Sequence, residues 1–223
     1  MGLDMYLSRY TTKGYDIATI NAVEGYLDLE DYKAAHPGYE CTLYDWCHAD
    51  EALVTPEALA ALKPLYTEKY YYWDVARRHP HKMLYEPVGY WRKENHIHKW
   101  FVDNVQDGND NCDMYIVSRE QLEALRDVCK KVLEVVRLKD GVIQTGIRYT
   151  QENGHEVMTE PGKVVDNKEA CAELLPTCNG FFFGDDSYDE YYIHGVEKTV
   201  EIINNVLETT DFNTQTITYC SSW

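Results

Sequence analysis

Apolar and polar residues alternate from the start of the chain. Leu3, Met5 and Leu7 interleave with Asp4, Tyr6 and Ser8, the two-residue period of a half-buried strand. Residues 21–54 keep no such period and read as loops carrying short helical pieces, closing on the acidic stretch Asp45 to Glu51. Thr55-Pro56-Glu57 then predicts a helix start, with a capping hydroxyl, a proline in the first turn and a carboxylate favoured by the helix dipole. Pro64 ends that helix, and Leu65 to Arg78 predicts a second one, stopped by Pro80. Tyr90 to Val105 predicts a third. Ser118 to Gln121 is a capping box opening a fourth, with Leu122, Leu125, Cys129, Val132 and Val136 at helical spacing.

Further on, Val142 to Tyr149 and His155 to Met158 predict a β-hairpin, because Asn153-Gly154 supplies the two positive-φ positions of a tight turn. The run from 181 to 184 predicts a short strand leading into Asp185-Asp186-Ser187, which can cap a last helix bearing Tyr192, Val196, Val200, Ile203 and Leu207 on one face. Phe212 to Tyr219, rich in β-branched residues, predicts a terminal strand. Strands at both ends and in the middle, with helices between them in uneven order, imply an α+β fold. The expectation is a single domain over residues 1–223, a small mixed or antiparallel sheet packed with about four helices, its two terminal strands paired.

Composition narrows the class. At 223 residues, 44% hydrophobic and 26% charged, the chain is an ordinary folded protein rather than a disordered one. No apolar run approaches the ~20 residues that span a bilayer, and residues 1–10 lack a secretory leader's basic and apolar regions, so no membrane role is expected. A net charge of −17 argues against direct binding to DNA or RNA, since a polyanion would be repelled over most of the surface. Seven Cys with no C-x-x-C pair point to a reducing, cytoplasmic setting. Neither a cofactor nor a metal is expected. Cys41-x5-Cys47-His48 lacks a second pair at zinc spacing. The calcium-like run Asp107 to Asp113 carries Cys112 where glycine belongs and Ser118 where the closing glutamate belongs, so it reads as a solvated turn.

Charge is unevenly spread. Six Lys/Arg (77, 78, 82, 92, 93 and 99) stand against Glu86 and Glu94 between residues 77 and 99, inside a chain that is otherwise strongly acidic. Four histidines (79, 81, 96 and 98) fall there too. Such a cluster is either an internal salt-bridge network or an anion site. Drawn as a helix, Tyr90 to Val105 puts Tyr90, Ile97, Trp100, Phe101 and Val105 in one arc together with Lys93, Glu94, His98 and Asn104; Arg92, His96 and Lys99 fall on the solvent side. One reading pairs His98 with Glu94 and Lys93 with Asp185, Asp186 or Asp189. The other lines a pocket with Lys93, Asn95 and His98. Nineteen Tyr and five Trp add a stripe at Tyr66, Tyr70, Trp73 and Arg77, which serves either packing or base stacking.

Four blocks, Gly2 to Leu7 (GLDMYL), Trp91 to Phe101 (WRKxNxIHxWF), Gly180 to Tyr192 (GFFFGxxxYDExY) and the final SSW, resemble a group of short, uncharacterised proteins carried by phages and prophages. The resemblance implies a phage setting in the bacterial host cytosol. Its fixed polar positions fall on Arg92, Lys93, Asn95 and His98; Glu94 falls at an open one. The leading expectation is an accessory protein that binds a small anionic, nucleotide-like ligand through Arg92, Lys93, Asn95 and His98, sequestering a host immune signal. One alternative is a phosphoester-cleaving enzyme with His98 or His96 as acid/base and Lys93 or Arg92 stabilising the developing charge. Another is an acidic inhibitor that imitates nucleic acid and occupies a host protein. A small phosphorylated ligand or a host protein is thus the expected partner, with homo-oligomerisation open.

Overall fold

In a computed structural model that describes residues 2–70, 80–151, 154–180 and 182–223, helices and strands mix in the irregular order of an α+β protein. The first third runs β1 (Asp4–Thr11), α1 (Ile17–Ala35), α2 (Leu43–Cys47), α3 (Pro56–Leu62), β2 (Thr67–Lys69), β3 (His81–Met83) and β4 (Tyr85–Arg92). Then come α4 (Asn95–Asn104), β5 (Tyr115–Val117), α5 (Arg119–Val135), β6 (Leu138–Thr150), β7 (Gly154–Val165), α6 (Lys168–Leu174), α7 (Glu190–Thr209) and β8 (Gln215–Ser222). The main sheet has the order β4-β1-β8-β5, so the two terminal strands are neighbours as expected. β2–β3 and β6–β7 form separate antiparallel pairs. No helix among the described residues is long and apolar enough to cross a membrane.

The chain divides into two compact units. One comprises residues 7–88 and 210–218. Its core gathers Tyr10, Ile20, Val23, Leu27, Ala58, Leu62 and Leu84. Here the sequence expectation of loops over 21–54 is overturned, because residues 17–35 form one long helix. Asp16 caps it, accepting from the Thr19 N–H at 2.7 Å. Its buried residues, Ile20, Ala22, Val23, Leu27 and Leu29, are scattered around the cylinder rather than set in a stripe, so no period betrays it. The helix expected over 65–78 is also corrected: residues 67–69 pair with 81–83, Glu68 opposite Lys82. Trp73, Arg77, Arg78 and His79 lie outside the described residues.

The other unit comprises residues 1–6, 89–209 and 219–223. α5 is packed on α7 and α6, and α7 on α4. Ser118 closes the predicted capping box, its hydroxyl accepting from Gln121 N–H (3.1 Å) while Gln121 Oε1 accepts from Ser118 N–H (2.9 Å). The β6–β7 hairpin is longer than expected, reaching from Leu138 to Val165. Residues 182–184 are not a strand; they form a bent loop in which the Phe182 carbonyl accepts from Leu3 N–H at 2.9 Å. Phe181 and Asn153 lie outside the described residues. The last helix is capped not by Asp185, Asp186 or Ser187 but by Asp189, whose Oδ1 accepts from Tyr191 N–H (2.8 Å) and Tyr192 N–H (3.2 Å).

Candidate functional site

The third predicted helix begins five residues late. Tyr90, Trp91 and Arg92 end strand β4, and Lys93 continues its ladder by donating its N–H to the Leu3 carbonyl at 2.8 Å. Lys93 then adopts φ 61°, a left-handed conformation that costs a side-chain-bearing residue about 1–2 kcal/mol. That turn carries the chain directly into α4. The lysine stem is wedged between two glycines: a Cβ on Gly184 would lie 3.0 Å from Lys93 Cβ, and one on Gly2 would lie 3.3 Å from its Cε. Backbone and stem are thus fixed while the residue as a whole remains exposed.

Beside this turn lies a cavity of about 550 Å³, in the range of small-molecule sites. Its walls are Arg92, Lys93, Glu94 and His96, residues 144–147 of β6, alternating parts of the loop between Phe182 and Asp189, and Tyr191 and Tyr192 of α7. Arg92 and Lys93 line it. The other described cations of the segment find carboxylates: Lys82 meets Asp31 at 2.6 Å, Arg92 meets Asp4 at 3.0 Å and Lys99 meets Asp103 at 2.8 Å. Among the described residues Lys93 makes no ion pair, so the expected partnership with Asp185, Asp186 or Asp189 is not formed.

Asn95 and His98 do not line the cavity. Asn95 is buried and pins the neighbouring loop, its Nδ2 donating to the carbonyls of Phe183 (3.3 Å) and Asp185 (2.7 Å) and its Oδ1 accepting from Cys178 N–H (3.1 Å). His98 is buried between two partners, the Tyr219 hydroxyl at Nδ1 (2.8 Å) and Asp110 Oδ2 at Nε2 (3.0 Å). The expected His98–Glu94 pair is therefore absent. Asp110, expected in a solvated turn, also accepts from the Trp223 indole N–H at 3.0 Å, and Phe183 sets its ring edge-on to both His98 and Trp223. Among the described residues no group of acids, cysteines and histidines could hold a metal ion.

Two neighbours that the sequence reading set aside occupy the inner wall. His96, assigned to the solvent side, is 3% exposed and lies against Tyr192, with ring centroids 4.5 Å apart. The first turns of α4 are buried on nearly every side, residues 95–98, 100 and 101 alike, so the side opposite the apolar arc is not a solvent face. Glu94 stands at the N-cap but does not cap. Its carboxyl instead occupies a hollow over Gly195 of α7, where a Cβ would collide with Oε2. Burial pushes Glu94 up to about 7; Lys198 opposes this and the negative charge of Asp189 adds to it. Burial drives His96 down to about 3, so its imidazole is neutral at physiological pH. Asp189 is raised by burial too, against the pull of its two backbone N–H donors. The signal that could have found this wall is Gly195, a glycine in mid-helix among apolar neighbours, which marks a close approach.

The cavity is therefore amphoteric, with a free ammonium at one side, carboxylates at the other, the exposed ring of Tyr191 alongside and a titratable carboxyl at its base. No known family model, curated protein or solved structure matches the chain.

Proposed function

We propose that this protein is a phage-type accessory protein whose cavity beside Lys93 binds a small anionic, nucleotide-like ligand, serving in the host cytosol to sequester such a molecule. The observation that carries this reading is Lys93, an unpaired cation held in a costly backbone conformation on the wall of a ligand-sized hollow. A phosphate meets its ammonium and the flank of Arg92. Tyr191, half exposed, offers a stacking face. Asp185 and Ser187 supply partners for sugar hydroxyls. Arg92 is a weaker anion ligand than the sequence implied, because Asp4 already holds it.

Calorimetry against a panel of nucleotides tests this. At least one member is expected to bind at millimolar concentration or better, and Lys93→Ala to weaken it tenfold or more. Binding by no member overturns the reading. An acidic inhibitor of a host protein would instead be indifferent to Lys93→Ala. Turnover through His98 has no support in its position, since both its ring nitrogens are engaged away from the cavity.

A further inference from the structure

Buried polar groups are nearly always hydrogen-bonded. One group on the inner wall of the cavity breaks that rule, beside a partly covered carboxyl. The Glu94 carboxyl, with 18% of its side chain exposed, takes no hydrogen bond from the described residues and is open to the cavity. His96 Nε2 is fully covered and has no hydrogen-bond partner among the described residues. Glu94 Oε2 and His96 Nε2 stand 3.8 Å apart, too far to bond each other. They are near enough for one flat group to bond to both. α7 keeps a glycine at 195 to seat the carboxyl, and the imidazole is held against Tyr192, so the two groups stand side by side on this wall.

We infer that Glu94 and His96 form a subsite that takes the hydrogen-bonding edge of a nucleobase: Glu94 Oε2 accepts from a base N–H, and His96 Nε2–H donates to the adjacent ring nitrogen or carbonyl oxygen. This rests on the reading of the cavity as a nucleotide site and adds what that reading lacks, recognition of the heterocycle as distinct from the phosphate. The edge of every base carries a donor beside an acceptor, which this pair complements. Burial holds the imidazole neutral, so one of its nitrogens carries a proton and the other does not. Lys93 and Glu94, consecutive residues, then sort the two ends of one ligand.

The test is calorimetry of the full chain with the four ribonucleoside 5′-monophosphates and with ribose 5-phosphate, which lacks the base. At least one nucleotide is expected to bind ten times more tightly than ribose 5-phosphate. His96→Phe, which keeps a ring against Tyr192, is expected to erase that preference while ribose 5-phosphate binds within twofold of wild type. Glu94→Met gives an independent second readout if the first variant fails to fold. Equal affinity of nucleotides and ribose 5-phosphate for the wild type overturns the subsite and leaves the phosphate reading standing. So does a preference that survives in a folded variant. Binding of neither probe overturns both.

Discussion

Replacing Glu94 by glutamine removes the ionisable proton and keeps the shape, which makes it a direct probe of the inner wall. The unfolded chain releases this proton near 4.5, the folded chain near 7. Between those values the native state binds more protons than the unfolded one, so stability falls as pH rises from about 4.5 to about 7 and stays low above. The shift corresponds to about 3 kcal/mol at 1.36 kcal/mol per unit. Glu94→Gln has no such penalty, because a neutral amide needs no ionised form in the hollow over Gly195. At pH 8 it is expected to be more stable than wild type by up to about 3 kcal/mol, or about 6–12 °C in melting temperature for a chain of this length. At pH 5, where wild-type Glu94 is mostly protonated when folded, the gap is expected to shrink to a small fraction of that. Glu24, likewise raised to about 7 by burial, tilts both proteins alike and drops out of the difference. Thermal unfolding of both proteins across pH 5–9 reads this directly. Melting temperatures that coincide at pH 8, or a gap that does not narrow toward pH 5, would refute a buried, unsatisfied carboxyl at this place.

Three further outcomes follow from neighbouring contacts. Gly195→Ala improves helix propensity by about 1 kcal/mol, yet it is expected to destabilise by 1–2 kcal/mol in urea titration because the new methyl collides with Glu94 Oε2; equal or higher stability would contradict the hollow. Asn95→Ala strips three hydrogen bonds from the 178–185 loop and is expected to cost about 3 kcal/mol in the same titration, with loss of ligand binding as that wall loosens. Lys93→Gly relieves the left-handed backbone and is expected to stabilise by about 1 kcal/mol while weakening nucleotide binding at least tenfold by calorimetry; undiminished binding would separate Lys93 from function, and a loss of stability would contradict the backbone strain.

Where the chain's own neighbours decide local structure, the sequence was legible. The Ser118 box and the Thr55 cap with Pro56 are contests between residues a few positions apart, and each formed where expected; the hairpin also formed, but with Gly154 paired to Thr150 in the ladder rather than placed in a two-residue turn. Legibility failed where a distant partner decided the outcome. The end of β4 is set by Leu3, ninety positions before Lys93, and without that hydrogen bond Tyr90 to Val105 scans as an unbroken helix. His96 stands opposite the apolar arc of that projection and is buried all the same, because Tyr192 of α7 covers that side. Asn95 and His98 were correctly marked as polar groups needing partners, but their partners come from residues 178–185, 110 and 219, which no period reveals. Of the four expected site residues, Arg92 and Lys93 line the cavity, and Glu94, passed over, sits beside them.

The ring of Phe183 has a practical corollary. It touches the indole of Trp223, while its chain neighbours Phe182 and Gly184 belong to the cavity wall. Any guest that shifts this loop by a fraction of an ångström alters the surroundings of a half-exposed tryptophan whose N–H is already tethered to Asp110. The molecule thus carries its own optical gauge of occupancy, readable as a change in emission without a label.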